Sequence, residues 1–224
     1  MTVPAASLNQ SFAMLRRFAE RPRPKERCEF CGKALEADHH HLIETAKRRI
    51  ACACDACAIV LSAQVGTSYR RIPKRVVYLP DFQLSDAQWD SLLIPINIAF
   101  FYDSTLHGRT TAIYPSPAGA TESLLDLDGW REIVASNPIL GTMESDVEAF
   151  LVNRLRSGAG AREDFEHYIA PIDECFKLVG LIRTRWRGLS GGADVWQEIG
   201  KFFDSLRAKS QAARDCALLP CFHS

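Results

Sequence analysis

The 224-residue sequence predicts an α+β protein: a small treble-clef-like metal module followed by a larger domain whose antiparallel or mixed sheet is flanked by helices. Three observations carry this expectation. Cysteines crowd into one stretch near the N-terminus, β-branched and aromatic runs fill the middle, and amphipathic helical patterns dominate the last third. The implied organisation is an N-terminal helix and linker over 1–27, a cysteine module over 28–65, an α+β domain over 66–207 and a tail over 208–224.

In residues 7–20, Leu8, Phe12, Leu15 and Phe18 or Ala19 share one helical face, with Ser7 as N-cap. The proline-interrupted segment RPRPKER at 21–27 then reads as a linker. After the cysteine module, the runs 70–80, 92–104 and 109–117 read as strands, the second and third joined by a hairpin near Gly108. Ser85 caps a short helix over 85–93. TESLLDLD at 121–128 reads as a strand leading into the helix GWREIVAS.

Farther on, Ser145 and Glu148 form a capping box before Val147, Phe150, Leu151 and Leu155, which predicts a helix. SGAGARED at 157–164 reads as a flexible connection and 166–172 as a strand. Asp173 is expected to cap a helix whose basic end, Arg183 to Arg187, suits the helix dipole. Gly188–Gly192 breaks that helix, and Val195, Trp196, Ile199, Phe202, Phe203 and Leu206 mark a last amphipathic one.

Of eight cysteines, Cys28, Cys31, Cys52, Cys54 and Cys57 lie within one 30-residue stretch. No apolar run approaches the roughly 20 residues a bilayer requires, and no signal-peptide pattern opens the sequence. A cytoplasmic location is therefore expected, with no membrane association. Reducing conditions there disfavour disulfides, so clustered thiols point to metal.

The pattern Cys28-Glu-Phe-Cys31-Gly is a zinc knuckle, two thiolates on a tight turn with glycine supplying the positive φ. Cys54-Asp-Ala-Cys57 leads directly into a helix-compatible segment, whose exposed amides favour thiolate. A hairpin turning near Ala46–Arg49 lies between the pairs. Knuckle, hairpin and helix resemble a treble clef, although the 22 residues between Cys31 and Cys54 slightly exceed ribbon spacing.

The expected ligands are therefore Cys28, Cys31, Cys54 and Cys57, holding zinc by default, with iron in a rubredoxin-like site or a cluster as the alternative. Cys52 could replace Cys54, and His39 or His41 could intrude. A strand through His39–His41 puts His39 and His41 on one face and His40 on the other. Four thiolates close a tetrahedral zinc, so the reading is structural and non-enzymatic. An HNH-type nuclease fits poorly, because no histidine follows Cys57 on its helix.

Charge is zero overall but unevenly spread: residues 1–75 carry 14 Lys+Arg against 7 Asp+Glu, and the remainder 13 against 20. A basic front can attract nucleic acid, although a solvated surface is the simpler reading. Cys175 with His167 reads as a core thiol rather than a nucleophilic pair, and the PSPAGATES loop as a surface turn. Cys216, Cys221 and His223 form a further C-x4-C-x-H pattern at the tail.

The segments CEFCGKAL, HHHLIE, CACDACAIVL, YPSPAGATESLL and PIDECFKLVGLIRTRWRGLSGGADVWQEIGKFFDSLR together resemble a family of uncharacterised bacterial proteins. Proteins of that family are often encoded beside nickel–iron hydrogenase genes of the actinobacterial uptake type. The resemblance covers most of residues 28–207, and its pattern includes His39, His41 and Cys52 beside the four principal cysteines. It implies an accessory role with a protein partner, the hydrogenase or its maturation machinery, rather than a reaction. Nucleic acid is not the expected partner.

Overall fold

Backbone pairing follows the predicted pattern through most of the chain and departs from it at identifiable places. The structure, a computed structural model, describes residues 26–64, 66–123, 128–155, 165–188 and 191–212. The helix expected over 7–20, most of the 21–27 linker, the 157–164 connection and the Cys216–Cys221–His223 pattern lie outside the described residues.

Strands β1 (His40–Glu44) and β2 (Arg49–Ala53) form the module's antiparallel hairpin, followed by helix α1 (Asp55–Ala63). A third strand, β3 (Tyr69–Arg71), pairs with the other edge of β1, giving the order β2-β1-β3. The run 70–80 is thus two strands and not one. Pro73, which has no N–H for a ladder, separates β3 from β4 (Val77–Tyr78), and the two join different sheets.

The large sheet adds β5 (Ile98–Ser104), β6 (Arg109–Ser116), β7 (Gly119–Glu122), β8 (Glu148–Asn153), β9 (Glu166–Pro171) and β10 (Gln211–Ala212). Its order is β10-β4-β9-β8-β5-β6-β7, antiparallel except where β10 runs parallel to β4. The segment read as a helix from its Ser145–Glu148 box is strand β8, at the centre of this sheet. The reason is burial on both faces: Val147 through Val152 are all buried, and such a central strand shows a continuous apolar run without period-2 alternation.

Both sheet faces carry helices. Phe100, Tyr102, Leu151 and Tyr168 face α4 (Ile172–Arg185) and α5 (Ala193–Lys209), which contribute Leu178, Ile182, Ile199 and Phe203. Phe101, Phe150, Val152 and Ile169 face α2 (Asp86–Ser91), α3 (Asp128–Ser136) and a 3-10 turn over Pro138–Thr142. Ser85 caps α2 with a reciprocal capping box to Gln88. Each fully buried aromatic or aliphatic side chain in these layers contributes about 1.5–3 kcal/mol.

The small sheet rests on the same core, because Ile43 of β1 and Ile72 join the α4–α5 cluster. Ion pairs reinforce the junction: Arg48 with Glu122 at 3.2 Å, Arg70 with Asp146 at 3.3 Å and Arg75 with Glu148 at 2.5 Å. The bases all come from the basic front of the chain and the acids from its acidic remainder. The uneven charge of the sequence is in this part an internal complementarity between the small sheet's segment and the large one.

Candidate metal centre

The turn at residues 28–33 is closed by two backbone hydrogen bonds, from the Cys28 amide to Lys33 O at 2.8 Å and from the Gly32 amide to Cys28 O at 2.8 Å. Gly32 has φ +75°, a conformation that glycine adopts without a Cβ penalty. The turn is pinned to the hairpin: the Glu29 amide donates to Cys52 O at 3.0 Å, and the Cys52 amide donates to Glu29 Oε1 at 2.9 Å. Cys54 stands at the N-cap of α1 and Cys57 within its first turn, so the helix brings the second pair toward the knuckle.

The sulfurs of Cys28, Cys31, Cys54 and Cys57 all lie within 4.8 Å of one another. Cys31 Sγ and Cys54 Sγ are 3.7 Å apart, too far for a disulfide. A tetrahedral ion with sulfur at about 2.3 Å requires an edge of about 3.8 Å, so the donor set fits one divalent ion such as zinc or iron. Cys28 is 2% exposed. Burial opposes its charge, but amides of Cys54, Phe30 and Cys31 outweigh that cost and bring its thiol down to about 6. Cys57 is pushed up to about 12 by hydrogen bonding to Cys54, by burial and by the Cys28 charge. The cluster therefore favours the Cys28 thiolate and disfavours that of Cys57, which a bound cation would stabilise.

The four-sulfur group contains Cys54 and not Cys52. Cys52 sits with His39 and His41 in a second group whose ligand atoms also lie within 4.8 Å of one another. The hairpin register explains this, because His41 pairs directly with Cys52. The His39 and His41 rings meet edge to face at 4.8 Å, whereas His40 turns to the opposite side, against Asp55 at 3.0 Å and Arg71. Burial, then the charges of Arg71 and Lys74, hold His40 below its ordinary value. Burial, with the charges of Glu26, Glu29 and Cys28, raises the Cys52 thiol.

His41 Nδ1 lies 2.6 Å from Asp173 Oδ2. Asp173 is not the N-cap of α4; Pro171 occupies that position, and Asp173 in the first turn points to the histidine. That hydrogen bond, against the cost of burial, holds the His41 imidazole above its ordinary value. Sequence reasoning had no signal for this acid, 132 residues from its partner. The paired hairpin register was the one signal that could have separated the two groups.

Other candidates resolve plainly. Cys175 is fully buried under α4, and burial raises its thiol well above the ordinary value. His167 packs against Phe82 and Phe150 on the opposite face of the sheet, so the two form no nucleophilic pair. The PSPAGATES segment is the tight turn of the β6–β7 hairpin, with Ser116 facing Gly119. No described helix is long and apolar enough to cross a membrane.

Residues 27–210 match the model of a family described as being of unknown function, DUF5947. No curated protein and no solved structure matches the chain.

Proposed function

The chain belongs to the DUF5947 family, and from that premise and the geometry of the cysteines we propose that it is a non-enzymatic, zinc-binding accessory protein of the cytoplasm. The observation that carries the reading is the convergence of four sulfurs with a 3.7 Å edge. Four thiolates fill a tetrahedral ion and leave no position for substrate, so the ion's role is to hold knuckle, hairpin and helix together. The element order, with the second pair at a helix start, supports the treble-clef resemblance.

A protein partner in hydrogenase assembly follows from the sequence resemblance. The internal pairing of Arg48, Arg70 and Arg75 leaves less of the basic front for nucleic acid. Elemental analysis of the purified full chain tests the metal: one tightly held zinc lost in Cys31→Ser supports it, and neither zinc nor iron overturns it. Iron with visible thiolate absorption would replace the structural reading by electron transfer. Isolation of the tagged chain with hydrogenase or maturation subunits supports the partner, and their absence withdraws it.

A further inference from the structure

We propose that His39, His41 and Cys52 bind a second divalent transition-metal ion, separate from the four-thiolate centre, with one coordination position open to an adjoining cavity. This goes beyond the structural-zinc reading and does not rest on it, since no ligand is shared.

The backbone builds the donor set. Register pairs His41 with Cys52 across the hairpin, so their side chains share one face, and His39 precedes His41 by two residues on that same face. Each imidazole is oriented through its Nδ1. His39 Nδ1 lies 2.9 Å from the Glu36 carbonyl, and His41 Nδ1 lies 2.6 Å from the Asp173 carboxylate. Both partners are acceptors, so both Nδ1 atoms carry the proton, and in the neutral ring Nε2 is the atom left with a lone pair for a metal. A carbonyl and a carboxylate behind two histidines form the outer shell that metal-ligating imidazoles ordinarily have.

His39 supplies an independent observation. Its side chain is 7% exposed, yet buried Nε2 has no hydrogen-bond partner; the nearest acid, Glu26 Oε2, stands at 3.6 Å. Leaving such an atom unsatisfied is unfavourable, and a metal ion in the triad removes that cost. Two imidazoles and a thiolate suit zinc, copper or nickel better than magnesium or calcium.

The site adjoins a cavity. His39 and His41 line a cavity of about 500 Å³ between the small sheet and α4, which Asp38, Lys74, Asp173 and Lys177 also line. Cys52 is not among the residues that line this cavity. Three protein ligands with a cavity at the fourth position form the arrangement of an exchangeable or catalytic centre, in contrast to the closed four-thiolate one. The wall lysines all pair with acids, Lys74 with Asp38 and both Lys177 and Lys209 with Glu174. The open position therefore suits water or another small ligand.

The test uses the full chain, saturated with zinc or cobalt and freed of excess ion. Two equivalents are expected in the wild type, falling to one in His39→Ala and in Cys52→Ser, with that one lost in Cys31→Ser. A single wild-type equivalent retained by Cys52→Ser, or two retained by both His39→Ala and Cys52→Ser, overturns the second site while leaving the four-thiolate reading standing. A single equivalent lost in Cys52→Ser but kept in Cys31→Ser does the reverse. Because a variant can fail to fold, azide is added to cobalt-loaded wild type: a shift of the ligand-field bands is expected from an open position, and an unchanged spectrum overturns the proposal.

Discussion

His41 on β1 and Asp173 at the start of α4 meet at 2.6 Å, so a side-chain contact spans the small sheet and the helical layer of the large one. The same contact sets which imidazole nitrogen carries the proton. Asp173→Asn keeps a hydrogen-bond acceptor but removes the charge that polarises the ring. Outer-shell losses of this kind cost roughly 10–100-fold in metal affinity. Titration against a competing chelator is expected to show that weakening for the ion at His39, His41 and Cys52. The four-thiolate ion should be unaffected.

Cys52 and Cys54 are two residues apart and belong to different donor groups. Cys54→Ser is expected to release the four-thiolate ion and to lower thermal stability sharply, because binding energy at a structural site is folding energy. Cys52→Ser should keep that ion and most of the stability. Metal content and melting temperature measured on both variants decide the assignment. Equal metal loss in the two would refute the division of the cysteines drawn from the hairpin register.

Glu148 is fully buried, and its carboxylate takes Arg75 at 2.5 and 2.7 Å and the Glu144 amide at 2.9 Å. Arg75→Ala strands that charge inside the protein. Breaking a buried pair costs about 3–5 kcal/mol, and the lower end is expected because the Arg75 side chain remains 41% exposed. The double replacement Arg75→Met with Glu148→Leu should be milder than Arg75→Ala. Denaturant unfolding of the three proteins checks the order.

Glu148 also shows where sequence reading loses its grip. Together with Ser145 it forms the pattern of a helix-capping box, and Val147, Phe150 and Leu151 fit helical spacing. The same residues make a strand buried on both faces, with Glu148 serving as the partner of Arg75, which lies 73 residues away. Local pattern cannot see that partner. The knuckle, by contrast, was fully legible, since Cys28, Cys31 and Gly32 determine their own turn.

The hairpin lay between these cases. A turn over 46–49 would place Cys54 opposite His41, whereas the actual turn over 45–48, with Arg48 at φ +51°, places Cys52 there. One residue of turn position shifts the cross-strand partner by two, which is enough to hide the second donor group.

His167 gives the fold a pH dependence of known sign. It packs against Phe82 and Phe150 and is 7% exposed, with Nε2 lacking a hydrogen-bond partner. Burial, then the nearby Arg154 charge, pushes its imidazole down to about 4. The unfolded chain, with an ordinary histidine near 6.5, binds the proton first. Its contribution to stability is therefore complete above about pH 6.5 and declines as pH falls toward 4. The difference corresponds to about 3 kcal/mol. Unfolding free energy measured across that window should fall with acid in the wild type. In His167→Phe, which keeps the aromatic stack and removes the titrating group, the decline should be smaller by about that amount. An equal decline in both proteins would show that His167 is not the group responsible.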